Sequence, residues 1–245
     1  NLIGGTTAKA RNIISNNGDN GVNICCGGVT GNKIQGNFIG TDVTGTLAMG
    51  NTGNGVVIVG DAANNTIGGT ASGAGNIIAY NTSNGMLLTA DTGTGNTISS
   101  NSIYSNAGLG IDLGDDGVTP NDPSDGDSGA NNLQNFPELD SARISKVNNG
   151  PKQRVEVEGV LISTPNTRFT IEFFSNVACD SSSLFGEGEV LLGVITVKTD
   201  KHGRANFSVP FTTTLSDIKF ITATATDPNG NTSEFSECEV VKQKH

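Results

Sequence analysis

The chain has 245 residues, a net charge of -10, 16% charged and 5% aromatic residues, and no tryptophan. That length suits two modest domains. The acidity makes nucleic acid an unfavourable partner, and no apolar run is long enough to span a bilayer, so membrane insertion is not expected.

The first 117 residues write one three-part line four times. Asn-x-Ile appears at Asn1-Leu2-Ile3, Asn32-Lys33-Ile34, Asn65-Thr66-Ile67 and Asn96-Thr97-Ile98. A second such triplet starts at Asn12, Asn37, Asn76 and Asn101, and a Gly-apolar-x-apolar element starts at Gly21, Gly55, Gly85 and Gly110. A period of about thirty residues signals stacked repeats. Each element is too short for a helix and alternates apolar residues, so each reads as a short strand with one face inward. Three strands per repeat make one rung of a parallel β-helix, in which equivalent residues stack about 4.8 Å apart. Stacked Asn residues then pass amide hydrogen bonds along the coil, and the neighbouring Ile residues form an apolar column.

The first and second triplets are 11, 5, 11 and 5 residues apart in the four rungs, so rungs one and three carry an insertion that begins Ile-Gly-Gly-Thr. Rung two instead lengthens its second corner through residues 41–50. Insertions at fixed corners are loops on one side of a solenoid. On the outward positions of the second and third strands, Ile13, Phe38, Ile77, Val57 and Leu87 form an apolar row, either a contact surface or a face covered by the insertions.

Cys25 and Cys26 close a predicted strand, where alternation implies one inward and one outward thiol; a ring between neighbours is strained and uncommon. Residues 118–137 form an acidic linker. Asp112, Asp115, Asp116, Asp122, Asp125 and Asp127 supply hard oxygen ligands on a Gly/Pro/Ser-rich backbone, which suits calcium, although EF-hand spacing is missing and a solvated acidic turn region competes.

From residue 138 to 245 the pattern changes to longer alternating runs at 142–147, 154–161, 168–175, 190–199, 205–211, 219–227 and 234–241, which argue for a β-sandwich. Asp227-Pro228-Asn229-Gly230-Asn231 is a hairpin turn between the last two. Cys179 and Cys238 are candidates for a disulfide closing a long loop, in keeping with an extracellular or cell-surface location.

The string Ile221-Thr222-Ala223-Thr224-Ala225-Thr226-Asp227-Pro228-Asn229-Gly230-Asn231-Thr232-Ser233 resembles the closing hairpin of bacterial immunoglobulin-like modules in surface adhesins. The Asn-x-Ile-Gly-Gly-Thr repeats resemble right-handed parallel β-helix proteins with pectate lyase-like architecture. The resemblance implies an all-β protein of about four three-strand rungs followed by an immunoglobulin-like β-sandwich, secreted by a bacterium.

Catalytic residues are not assigned. The coil offers only Lys9, Arg11 and Lys33 as bases, its aspartates lie scattered through corners, and Asp112 with Asp115 or Asp116 is the one candidate carboxylate pair. The coil has no histidine, and His202 and His245 are remote in sequence. Sugar-stacking aromatics are sparse, being Phe38, Tyr80 and Tyr104. The expected role is therefore a non-catalytic extracellular structural or adhesive one, as a fibre or appendage subunit built by stacking β-helical modules. A polysaccharide-binding or lyase-like protein is the alternative. The chain opens on a repeat element with neither initiator Met nor signal peptide, so it reads as a fragment of a longer exported protein. The first rung has no cap, and self-association or an upstream region is expected to cover it.

Overall fold

The computed structural model describes residues 1–147 and 150–244. His245 lies outside the described residues. Rung one consists of β1 (Leu2–Gly4), β2 (Ile13–Ile14) and β3 (Val22–Ile24), and rung two of β4 (Lys33–Gln35), β5 (Phe38–Ile39) and β6 (Val56–Ile58). Rung three follows with β7 (Thr66–Gly68), β8 (Ile77–Ala79) and β9 (Met86–Thr89), and rung four with β10 (Thr97–Ser99), β11 (Ser102–Tyr104) and β12 (Ile111–Gly114). They stack as three parallel four-stranded sheets, β1-β4-β7-β10, β2-β5-β8-β11 and β3-β6-β9-β12, the arrangement of a β-helix.

The register is the one the repeats imply. Ile3, Ile34, Ile67 and Ile98 align across the first sheet, and Ile14, Ile39, Ile78 and Ile103 across the second. Ile34, Ile39, Ile58, Ile67, Ile78 and Leu88 are fully buried, each contributing about 1.5–3 kcal/mol relative to exposure. The Ile-Gly-Gly-Thr corners have a steric cause. Gly4 and Gly68 have φ of +83° and +84°, and a Cβ there would sit 2.1 Å from the Gln35 carbonyl oxygen and 2.0 Å from that of Ser99 in the next rung.

The second module contains β13 (Glu138–Lys146), β14 (Gln153–Ile162), β15 (Arg168–Asn176), β16 (Val190–Lys198), β17 (Arg204–Thr213), β18 (Phe220–Thr226) and β19 (Glu239–Gln243). They form one mixed sheet ordered β16-β15-β18-β19-β13-β14-β17, antiparallel except where β13 meets β19. The sheet is nearly closed: Gly193 of β16 lies against the Phe211 ring of β17, where a Cβ would fall 2.6 Å away. Val155, Val157, Leu161, Phe169, Ile171, Phe173, Ile221 and Ala223 fill its interior. The alternation at 234–241 predicts a strand from Glu234, yet β19 begins only at Glu239. Glu234 and Phe235 are drawn to the coil, where Phe235 joins its core, while Ser236 and Cys238 bond within the second module.

The bridge is packed rather than free. After β12 the chain folds across the last rung, where Ala130, Asn131, Gln134 and Asn135 are buried. Cys179 and Cys238 are joined by a disulfide with sulfurs 2.00 Å apart. Cys25 and Cys26 are also paired with each other, and both are exposed, in place of the buried and exposed thiols that alternation implied.

Candidate functional site

The asparagine columns are directional. In the first ladder the Asn1 Nδ2 donates to Asn32 Oδ1 (3.1 Å), Asn32 to Asn65 (2.9 Å) and Asn65 to Asn96 (2.9 Å). The second runs likewise from Asn12 through Asn37 and Asn76 to Asn101 at 2.9, 3.1 and 2.8 Å. Backbone N–H groups of the upper rung donate to the same oxygens, as from Asn37 to Asn76 Oδ1 (2.9 Å). A third ladder, unread in the sequence, joins Asn17, Asn51, Asn81 and Asn106 at 2.8, 2.8 and 2.9 Å. Its signal is the Asn-x-x-Asn-Gly string beginning at Asn17, Asn51 and Asn81. Donors in these three ladders point toward rung four, so that end of the coil requires acceptors.

The rest of the chain supplies them. Asn131 Oδ1 accepts from the Asn96 backbone N–H (2.9 Å), and Asn231 Oδ1, on the hairpin turn, from that of Gly95 (2.7 Å). Glu172 accepts from the Ser100 N–H (2.8 Å) and hydroxyl (3.1 Å). Glu187 accepts from Asn106 Nδ2 (2.8 Å), and Glu234 from the N–H groups of Leu113 (2.8 Å) and Thr119 (2.9 Å). One buried glutamate thus closes the β10–β11 corner, one the corner after β11, and one the end of β12. Carboxyl oxygens accept these bonds, which matches an end that presents donors. Phe174 and Phe235, in edge-to-face contact at 5.4 Å, plug the apolar column between them.

None of the three glutamates has a salt-bridge partner among the described residues. Burial pushes Glu187 up to about 7, against the hydrogen bonds from Asn106. Burial, with added repulsion from Asp112 and Asp116, pushes Glu234 up to about 8, and burial also raises Glu172. Such values are those of proton donors near neutrality, but these oxygens are occupied by backbone and amide donors. Their geometry serves closure of the coil rather than acid–base chemistry.

No protein-family model and no curated protein matches this chain.

The six aspartates divide. Asp112 is buried, accepts from Asn84 Nδ2 (3.0 Å) and the Asp115 N–H (3.1 Å), and has its carboxyl raised by burial. Asp115 and Asp116 stay with it at the end of the third sheet. Asp122, Asp125 and Asp127 converge, with one oxygen of each within 4.8 Å of the others. Asp125 accepts from the Asn135 N–H (2.8 Å) and the Ser163 hydroxyl (2.7 Å), while Asp122 accepts from the Gly126 N–H (3.0 Å). Asp127 Oδ1 is buried without a partner. Burial first, then repulsion from Asp122 and Asp125, raises the Asp127 carboxyl. An all-oxygen donor set with one unpaired buried oxygen fits a hard divalent cation.

The outward apolar row is mostly covered. Phe38, Val57 and Leu87 are 8%, 6% and 6% exposed, Ile77 is half-buried, and only Ile13 stands open at 40%. The Arg11 guanidinium lies 4.0 Å above the Phe38 ring, and Gly45 of the 41–50 loop approaches Phe38 and Ile77 so closely that a Cβ would collide with both. The same loop fixes two tyrosines beside it. Tyr104 donates to the Gly45 carbonyl (3.2 Å) and Tyr80 to that of Thr46 (3.3 Å), with the rings edge to face at 5.6 Å. These rings line a cleft of about 390 Å³ between the coil and the 176–189 segment of the second module.

Proposed function

We propose that this chain is a non-catalytic extracellular structural or adhesive protein, the terminal module of a rod or fibre of stacked β-helical units. The coil is read as right-handed and the second module as an immunoglobulin-like, adhesin-type unit that serves as its end cap. The observation that carries this reading is the closure of rung four by Glu172, Glu187, Glu234 and the Phe174–Phe235 plug. Solenoids need such polar-faced terminal units. At the other end β1, β2 and β3 are edge strands, with Asn1, Asn12 and Asn17 turning amide oxygens outward.

That asymmetry defines the partner. Open-ended stacking of identical copies needs a donor end, and in this chain that end is covered by its own second module. The outward amide oxygens of Asn1, Asn12 and Asn17 fit a β-helical segment that presents donors, such as a companion subunit. Calcium, where bound by Asp122, Asp125 and Asp127, would tie the bridge to the β14–β15 turn through Ser163, which donates to Asp125. Electron micrographs of the purified chain test the reading: single modules are expected, and long filaments of the chain alone would overturn it.

A second reading, polysaccharide binding, is favoured by the Tyr80–Tyr104 cleft. Nothing favours its degradative version, because the most perturbed glutamates are engaged in closing the coil.

A further inference from the structure

We propose that the cleft between the coil and the second module binds a short, non-anionic glycan, with Tyr80 and Tyr104 as its aromatic wall, Glu189 as acceptor for ligand hydroxyl or ammonium groups and Asp180 as a fixed negative charge beside it. The inference rests on the polysaccharide-binding reading and gives it a site and a ligand class.

The cleft, at about 390 Å³, has the size of a small-molecule site and combines aromatic surface with a few polar groups. Its walls are built. The two tyrosine hydroxyls are tied to the Gly45 and Thr46 carbonyls, which leaves the rings as fixed apolar surfaces. On the opposite side, the Cys179–Cys238 disulfide pins the loop that carries Asp180. Asn176 sets the direction of the backbone by accepting from the Glu189 N–H (2.8 Å).

Charge selects the ligand. Asp180, Glu187 and Glu189 line the cleft and no lining residue is basic, so a uronate would be repelled. Burial works to raise the Asp180 carboxyl, but hydrogen bonds from Ser183 and Ser182 outweigh it and hold the group low, hence ionised. Glu189 uses Oε2 for the Val177 N–H (3.3 Å) and keeps Oε1 without a protein donor among the described residues. A site rich in acceptors and walled by aromatic rings takes a ligand with donors on its edge and an apolar face, the chemistry of neutral or amine-bearing hexose units. Burial, with the neighbouring Tyr80 and Glu189, also pushes the Tyr104 hydroxyl up to about 12. The ring therefore stays uncharged and able to stack across the ordinary pH range.

The chain contains two tyrosines and no tryptophan, so its intrinsic tyrosine emission reports on this cleft alone. The experiment titrates the full chain with neutral oligosaccharides (mannan, xylan and cello-oligomers), chitosan oligomers and oligogalacturonate, following tyrosine fluorescence and calorimetry. Saturable binding of a neutral or chitosan oligomer is expected, with at least tenfold weaker affinity in Tyr104→Ala and in Glu189→Gln. A greater loss for chitosan than for neutral oligomers in Glu189→Gln assigns an ammonium contact, and equal losses assign hydroxyl contacts. The Glu189→Gln change is at a surface carboxylate, so its melting temperature separates lost binding from lost folding. Binding of oligogalacturonate, or binding of any glycan unchanged in both variants, would overturn this site while leaving glycan binding in place. The absence of binding to all of them would overturn both.

Discussion

Glu187 accepts a hydrogen bond from Asn106 Nδ2 at 2.8 Å and another from the Asn106 backbone N–H at 3.2 Å, so the third asparagine ladder ends on a carboxylate. Two donors at the last rung are satisfied by one side chain 81 residues away in the chain.

Removing that side chain tests how much closure matters. Glu187→Ala removes the carboxylate that accepts from both Asn106 donors at a half-buried corner, at a cost of about 0.5–1.5 kcal/mol. Glu187→Gln keeps one acceptor oxygen and is expected to lose less. Urea denaturation monitored by circular dichroism measures both, and equal stability of wild type and Glu187→Ala would remove the end-cap role of this residue.

The glutamate caps also make stability depend on pH. Their ordinary value is 4.5, and in the folded protein Glu187 and Glu234 are pushed up to about 7 and about 8. Between those values the folded chain holds more protons than the unfolded one, so the caps' contribution is full below about pH 4.5 and is lost as pH rises toward 8. Carboxylates held low, such as Asp180 and Glu158, act in the opposite sense and weaken the fold below their ordinary values. The melting temperature is therefore expected to rise from pH 8 to pH 5 and fall again below pH 4. A Glu187→Gln/Glu234→Gln double variant should flatten the upper limb; a limb of unchanged slope would contradict the assignment.

Calcium binding at Asp122, Asp125 and Asp127 predicts a melting temperature that rises with added calcium and returns on chelation. Calcium at a hundredfold excess over its dissociation constant stabilises by about 2.7 kcal/mol. Asp127→Asn should abolish the rise while giving the metal-free protein equal or greater stability, since it removes a repelled carboxylate. Identical melting curves with calcium and with chelator would leave these aspartates a simple hydrogen-bonded turn.

The Cys179–Cys238 bridge spans 59 residues, for which chain entropy predicts about 4 kcal/mol of stabilisation. A Cys179→Ser/Cys238→Ser variant should unfold at a clearly lower urea midpoint. Because Cys179 lines the cleft, the variant should also broaden the tyrosine signal on glycan titration. A midpoint equal to that of wild type would show that the unfolded chain gains no freedom when the bridge is absent.

The repeated Asn-x-Ile and Gly-apolar-x-apolar lines determined, without further help, the three parallel sheets, their register and the buried Ile columns. Side-chain period and steric need at tight corners are local properties, and a local pattern can carry them. The third ladder was also present in the letters, as Asn-x-x-Asn-Gly, but it lies between the elements that the strand pattern selects.

Only the tertiary structure decided how the coil ends. Glu172, Glu187 and Glu234 look in sequence like ordinary acids of a β-rich module, and their role appears when folding carries them 72, 81 and 121 residues across the chain to Ser100, Asn106 and Leu113. The six bridge aspartates read as one group, yet three follow β12 into the coil's corner while the other three close on themselves. Tyr80 and Tyr104 likewise read as isolated aromatics until stacking of one rung on the next set their rings 5.6 Å apart. A repeat specifies contacts between equivalent positions, one strand spacing apart. The partners of its last rung have no equivalent position, so they are set by the packing of the whole chain.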